Sequence, residues 1–332
     1  MILHPGILAL IAGSFIVFIM MLYASILGIR IITRWDIRSS SEEQLTLEKK
    51  TYLVSSIIKY ALGFEIISGL LYIYTVDDIY RLFVGAMCST GSLNANPVGW
   101  YALYTKIIIF FASSIWIALN NIDLKAEDYP LAKPKYIAMI FITLLVGLDL
   151  YFLVSYFSGL RPEIITSCCG SLFSESGTGM AADLAALPPK PMIRLFYITA
   201  LFFIGTALLC LKYKSGFLRY AITFLAVFSF LVSMASIISF ISLYIYEMPS
   251  HHCPFDVFQK NYHFIGYPLY ISLFCWVFFG LLPGIFQPLK RISSLTEEIE
   301  RSEKKWLSLG IVFTVVFVCI ASWPVIFGNL GL

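Results

Sequence analysis

Eight stretches of the chain are long and apolar enough to cross a lipid bilayer as single helices. A spanning helix needs about 20 mostly apolar residues, because hydrocarbon offers the backbone no hydrogen-bond partners and a helix supplies its own. The stretches cover residues 6–29, 52–75, 101–119, 136–158, 195–211, 220–246, 264–287 and 307–327. The sequence therefore predicts an all-α polytopic membrane protein with a single transmembrane domain over residues 1–332.

The composition excludes most other classes of protein. Apolar residues make up 59% of the chain and charged residues only 13%, whereas a soluble domain carries roughly 25% charged residues. A net charge of +3 is too small for a surface that reads nucleic-acid phosphates. We therefore exclude a water-soluble enzyme, a disordered regulator and a nucleic-acid partner, and we expect the lipid bilayer to surround the chain.

The basic residues of the connecting loops predict the orientation of the chain, because short cytoplasmic loops carry an excess of Lys and Arg. One set of loops holds sixteen such residues and comprises 30–51, 120–135, 212–219 and 288–306. The alternate set holds five and comprises 76–100, 159–194 and 247–263. We therefore expect the first set to be cytoplasmic, the second set to be exported and both termini to lie on the exported side. In a bacterium, the membrane would be the cytoplasmic (inner) membrane.

Cysteine and histidine gather at the predicted exported face. The residues in or beside exported segments are Cys88, Cys168, Cys169, Cys253, His4, His251, His252 and His263. The other three cysteines, Cys210, Cys275 and Cys319, lie inside predicted helices, where a thiol behaves as a small apolar group. No predicted cytoplasmic loop contains either residue type. This one-sided distribution predicts that the chemistry of the protein takes place at the exported face.

The leading hypothesis is a thiol-dependent membrane oxidoreductase, or a subunit of a respiratory or redox complex. The thiolate is the reactive form of cysteine, and a protonated imidazole beside it lowers the thiol pKa. The predicted catalytic residues are Cys253, Cys168, Cys169 and Cys88, with His251 and His252 supporting Cys253. A C-x-x-C motif is absent, since Asp256 takes the place of its second cysteine. This chemistry would use a quinone as electron partner and an exported thiol or redox protein as reaction partner.

A second interpretation is a metal-ion handling or transport protein. Thiolates and imidazoles suit soft ions such as Zn(II) or Cu(I), but neither C-x₂-C nor H-x₃-H spacing occurs. The ligands would therefore come from separate loops and would be drawn from His251, His252, Cys253, Cys168, Cys169, Cys88, His4 and His263. The predicted spans contain no histidine at membrane depth, which argues against haem.

A third interpretation gives the exported cysteines a structural role. Exported cysteines commonly form disulfides, and four of them allow three pairings. Adjacent Cα atoms, as in Cys168 and Cys169, are about 3.8 Å apart, which is less than a disulfide normally spans. Two disulfides would therefore join the middle exported loop to both outer loops, and the chain would be a non-catalytic subunit of a larger membrane complex.

Four charged side chains lie inside predicted spans. One of them, Lys59, lies near enough to the cytoplasmic edge for its side chain to reach that edge, which leaves three to explain. Glu65 and Asp149 each lie 13 residues beyond the first, cytoplasmic residue of their predicted spans, which is about 20 Å into a core of about 30 Å. Lys106 enters from the opposite side and reaches a depth of about 7–8 Å. We therefore expect all three in one layer, as a buried ion pair or as a proton path that serves the exported face.

Overall fold

The structure is a computed structural model that describes residues 3–36, 41–126, 128–161 and 180–330. These residues form helices and no β-strand, and eight helical segments are long and apolar enough to cross a membrane. The predicted all-α membrane class with eight spans is therefore confirmed.

Eleven α-helices follow one another along the described chain. They are α1 (Pro5–Arg34), α2 (Glu42–Asp78), α3 (Ser89–Asn94), α4 (Val98–Asp123), α5 (Ala132–Ser158), α6 (Met180–Ala185), α7 (Pro189–Lys212), α8 (Gly216–Ser236), α9 (Ser242–Tyr246), α10 (Gly266–Phe286) and α11 (Ser293–Phe327). A π-helical turn, Ile237–Ile241, joins α8 and α9 into one spanning segment. The two short helices α3 and α6 do not span.

Several helices extend well beyond the apolar stretches that predict them. The last apolar stretch begins near residue 307, but α11 begins at Ser293. The charged segment that the sequence places in the loop 288–306 therefore forms the first turns of the last spanning helix. Glu and Lys favour helices, and no Gly or Pro interrupts the chain between Ser293 and Leu309.

The chain divides into two compact units. Unit 1 comprises Met1–Val76, Ala95–Arg161 and Arg291–Ile299, and unit 2 comprises Asp77–Asn94, Pro162–Lys290 and Glu300–Leu332. In unit 1, α5 packs against both α1 and α4. The core of this unit includes the buried side chains of Met21, Leu62, Trp116 and Tyr136.

In unit 2, α8 packs against both α7 and α10. Its core contains a chain of aromatic contacts. The ring centroids of Phe203 and Trp276 are 5.5 Å apart, and Trp276 lies 5.8 Å from Phe317. Phe317 continues the chain to Phe196 at 5.7 Å. Such contacts bring helices together inside a bilayer, where van der Waals packing replaces the hydrophobic effect as the attraction between helices.

Large apolar side chains also cover the outside of the spanning helices. Phe217, Phe224 and Leu201 are 79%, 70% and 70% exposed. Soluble proteins rarely expose so much apolar surface to water, whereas the lipid tails of a bilayer are themselves apolar and can surround it. The exposed surface therefore supports an integral membrane protein in the same way as the helix lengths.

Candidate functional site

Two of the four predicted exported cysteines contact each other in unit 2. The Sγ atoms of Cys88 and Cys253 are 3.6 Å apart, although the residues are 165 positions apart in the chain. Both side chains are fully buried, and the Thr90 hydroxyl lies 3.6 Å from the Cys253 sulfur. A disulfide bond measures about 2.05 Å, so the two sulfurs are in non-bonded contact.

A tight turn and a side-chain hydrogen bond place Cys88. Gly85 has a φ angle of 84°, a left-handed conformation that glycine adopts without steric cost. This turn leads into α3, whose first turn begins with a hydrogen bond from the Gly91 N–H to the Cys88 carbonyl at 3.0 Å. The Gln259 side chain donates to the carbonyl of Met87 at 2.7 Å, which fixes the chain beside the cysteine.

Two tyrosines, the buried Tyr246 and the half-buried Tyr270, hold the backbone around Cys253. The Tyr246 hydroxyl donates to the Cys253 carbonyl at 2.6 Å and accepts from the Val257 N–H at 3.0 Å. The Tyr270 hydroxyl donates to the Pro254 carbonyl at 3.0 Å. These bonds satisfy backbone groups that regular secondary structure does not, so the irregular segment can be buried without a large desolvation cost.

Asp256 is the third member of the site. Its carboxylate and the two sulfurs of Cys88 and Cys253 offer ligand atoms within 4.8 Å of one another, and all three residues are buried. One oxygen, Oδ2, bonds to Nε2 of His251. The other, Oδ1, is buried and has no hydrogen-bond partner among the described residues. The site therefore brings two thiols and a carboxylate together in one small, buried group.

The π-helical turn positions His252. A π turn shifts the backbone hydrogen-bond register, and the carbonyl of Ile238 within it lies 2.9 Å from His252 Nδ1. A carbonyl only accepts, so Nδ1 carries the ring proton. His252 is buried, while the His251 side chain is 25% exposed. Nδ1 of His252 therefore bonds to a backbone carbonyl, and Nε2 of His251 bonds to Asp256. Neither of these two nitrogens bonds to sulfur.

The electrostatics around the site disfavour ionisation of a nearby phenol. Burial, and then the neighbouring Asp256 and Cys253, raise the pKa of Tyr262 above its ordinary value. The phenol therefore keeps its proton at neutral pH and adds no negative charge beside the cysteines.

The remaining predicted site residues lie elsewhere or outside the described part of the chain. Cys168 and Cys169 lie outside the described residues. His4 precedes α1 and belongs to unit 1, whereas His263 is exposed in unit 2. Sequence reasoning did not propose Asp256 as a site residue. Its position three residues after Cys253 was the available signal.

The three predicted intramembrane charges meet in unit 1. The Nζ atom of Lys106 lies 2.7 Å from Asp149 Oδ2 and 3.1 Å from Glu65 Oε2. It also donates to the Ser68 hydroxyl at 2.7 Å. The side chains of Glu65 and Asp149 are 0% exposed and that of Lys106 is 2% exposed. We call these four residues the Lys106 cluster.

Three further ion pairs, buried or nearly so, involve residues that the sequence assigns to loops or their edges. Lys135 Nζ lies 2.6 Å from Asp123 Oδ2 in unit 1, and both side chains are fully buried. In unit 2, Glu303 accepts from Arg219 at 2.7 Å and also pairs with Lys290. Hydropathy does not reveal such pairs, because these residues lie in or beside loops that carry other, exposed charged residues.

Comparisons with known proteins give no match: no family model, no curated protein and no solved structure matches this chain. The functional interpretation therefore rests on the geometry of the site.

Proposed function

We propose that the protein is a membrane-embedded thiol oxidoreductase in which Cys88 and Cys253 alternate between a dithiol and a disulfide. The observation that supports this function is the 3.6 Å contact between two fully buried sulfurs. Bond formation at about 2.05 Å requires the sulfurs to approach by about 1.5 Å. Rotation of the two side chains between rotamers supplies a movement of this size.

The proposed reaction has two balanced halves. In the first, the Cys88–Cys253 dithiol gives two electrons and two protons to a quinone from the bilayer, which yields a disulfide and a quinol. In the second, two thiols of an exported partner reduce that disulfide and become a disulfide themselves. Thiolate attack carries out the exchange, and Cys168 with Cys169 are the proposed relay between the partner and the buried pair.

Asp256 has a defined part in this scheme. Its carboxylate lies within 4.8 Å of both sulfurs, so it is the proposed acceptor of the thiol proton before disulfide formation. His251 bonds to the Oδ2 atom of Asp256 and positions the carboxylate. Because both sulfurs are buried, the reactants that reach them must be small or belong to the same chain.

The proposed location of this site is the exported face of the membrane. The sixteen-to-five bias of Lys and Arg between the two sets of loops supports it. An even number of spans keeps both termini on one side, which the same bias makes the exported side. In a bacterium, the protein would lie in the cytoplasmic membrane with the segment 247–263 outside.

The test follows the oxidation state of each cysteine separately. The reduced protein in lipid nanodiscs is mixed with a soluble quinone without oxygen, then alkylated in denaturant and analysed by mass spectrometry. We expect Cys88 and Cys253 to become a linked disulfide at the rate of quinol formation. Cys88→Ser and Cys253→Ser should each abolish both signals. Cys210→Ser, which replaces a buried thiol in α7, is the matched control and should change neither.

Two results would contradict the redox proposal. One is a quinone that leaves both thiols reduced in the folded wild-type protein. The other is a Cys88–Cys253 disulfide that stays oxidised under mild reductant, which would instead support the structural-subunit interpretation.

A soft-metal site is the second candidate, because one specific feature favours it. Two thiolates on a tetrahedral zinc ion with bonds of about 2.3 Å lie about 3.8 Å apart, close to the observed 3.6 Å. The unpartnered oxygen of Asp256 would add a third ligand. Elemental analysis of the purified protein tests this function. Stoichiometric metal that disappears in Asp256→Ala and in Cys88→Ser, but not in Cys210→Ser, would favour it over redox chemistry.

A further inference from the structure

The Lys106 cluster contains two carboxylates but only one cation. Glu65 and Asp149 would carry two negative charges against the single positive charge of Lys106. Among the described residues, Lys106 is the cation within 4.0 Å of either carboxylate. With both acids ionised, the cluster would hold a net charge of −1 in a fully buried position. An unpaired charge away from water is costly, and the usual response is to take up a proton.

We propose that Glu65 and Asp149 together bind one exchangeable proton at neutral pH, so that the cluster is a proton-binding site inside the bilayer. The site is independent of the proposed thiol chemistry, because it belongs to unit 1 and contains no cysteine. Its ligand is a proton from one of the two aqueous phases.

The hydrogen bonds show where a proton is needed. The Lys106 ammonium has three N–H groups, and it already faces Glu65, Asp149 and Ser68. Glu65 Oε1 and Asp149 Oδ1 are buried and have no hydrogen-bond partner among the described residues. Protonation of one carboxyl removes the excess charge and replaces an unsatisfied acceptor with a neutral acid.

The neighbouring tyrosines do not balance the charge. The Tyr72 hydroxyl donates to the Gly99 carbonyl at 2.8 Å, and its ring centroid lies 6.2 Å from that of Tyr156. Neutral phenols supply dipoles but no positive charge. The electrostatic balance of the cluster therefore depends on the two carboxyls and Lys106.

The Asp123–Lys135 pair provides a built-in comparison in the same unit. It contains one acid and one cation, both fully buried. Asp123 Oδ1 accepts from the Leu131 N–H at 2.8 Å, and Oδ2 lies 2.6 Å from Lys135 Nζ. Since its charges cancel and both acid oxygens have partners, this pair needs no additional proton.

Infrared spectroscopy of the full-length protein in lipid at pH 7 tests the proposal, because protonated carboxylic acids and carboxylates absorb separately. Relative to wild type, Glu65→Gln and Asp149→Asn should each lose one protonated carboxyl, since the remaining acid then balances Lys106. Lys106→Met should gain one, because two acids without a cation both take up protons. The control, Asp123→Asn, should leave the protonated-carboxyl signal unchanged.

Stability measurements separate charge balance from general disruption. Glu65→Gln and Asp149→Asn keep the cluster neutral, so each should unfold at a temperature close to that of wild type. The double variant leaves the charge of Lys106 without a carboxylate partner and should unfold at a clearly lower temperature. Asp123→Asn leaves Lys135 without its carboxylate partner and should also unfold at a clearly lower temperature. The proposal is overturned if neither single variant loses a protonated carboxyl. It is also overturned if the wild-type signal appears only after Na⁺ and K⁺ are removed, because a bound metal cation would then balance the charge.

Discussion

At the scale of single residues, the irregular segment around Cys253 is stable because buried polar groups find partners. A buried donor or acceptor that loses its partner costs about 1–3 kcal/mol. Tyr246 satisfies two backbone groups at once, the Cys253 carbonyl and the Val257 N–H. Its hydroxyl therefore joins the two sides of the loop that carries Cys253 and Asp256.

Replacement of Tyr246 by Phe should therefore loosen the cysteine site. We expect the free energy of unfolding to fall by about 1–3 kcal/mol for each backbone group left unsatisfied, and disulfide formation between Cys88 and Cys253 to slow. Chemical denaturation and oxidant-induced crosslinking measure the two effects. Tyr244→Phe is the matched control, since Tyr244 is also buried and its hydroxyl makes no hydrogen bond to a described residue. Equal effects of both substitutions would argue against this role of Tyr246.

At the scale of elements, local helix geometry and close packing between helices determine where side chains such as His252 lie and how near neighbouring helices approach. The π-helical turn between α8 and α9 gives His252 a carbonyl partner. Elsewhere in unit 2, Gly280 of α10 lies where a Cβ atom would stand 2.7 Å from both Ala226 of α8 and Phe203 of α7. Small residues allow such approaches in membrane proteins.

Gly280→Ala should therefore push α10 away from its neighbours. No Cβ atom tolerates contacts of 2.7 Å, so helices or the Phe203 ring must move and the melting temperature should fall. Gly205→Ala in α7 is the control, because nothing lies within 4 Å of the position that its new methyl group would take. That substitution should be neutral or stabilise the helix by up to about 1 kcal/mol. A similar loss in both variants would show that packing at Gly280 is not tight.

At the scale of the whole molecule, each compact unit buries its own polar cluster. Unit 1 contains the Lys106 cluster and the Asp123–Lys135 pair, whereas unit 2 contains the cysteine site. Buried polar groups are expensive in a bilayer protein and commonly mark functional sites. The proposed thiol and proton sites therefore belong to different units and can be disabled separately.

The proposed topology predicts which loops an impermeant thiol reagent reaches in intact cells. Ser250→Cys lies in the exposed part of the segment 247–263 and should be labelled from outside. Lys214→Cys, between α7 and α8, replaces a side chain that is 76% exposed and should be labelled only after the membrane is permeabilised. Mass spectrometry of each labelled peptide gives the readout. The reverse pattern would place the cysteine site on the cytoplasmic side.

Much of the fold follows from the sequence alone. The bilayer imposes a length and a polarity on each span separately, so the number of spans and the all-α class can be read without knowledge of any contact. The number of residues between each side chain and the end of its span also predicts that Glu65, Asp149 and Lys106 lie at a similar depth in the membrane. Depth along a helix depends only on the rise per residue, which is why this expectation could be made.

Only the tertiary structure decided which side chains meet within a layer. It brought Cys88 to Cys253 and added Asp256, and it buried Lys135 against Asp123. These outcomes depend on helix rotation, loop paths and packing between residues far apart in the chain. Hydropathy reports how deep a residue lies but not which neighbour it faces, because lateral contacts arise from the complementary shapes and charges of several helices at once.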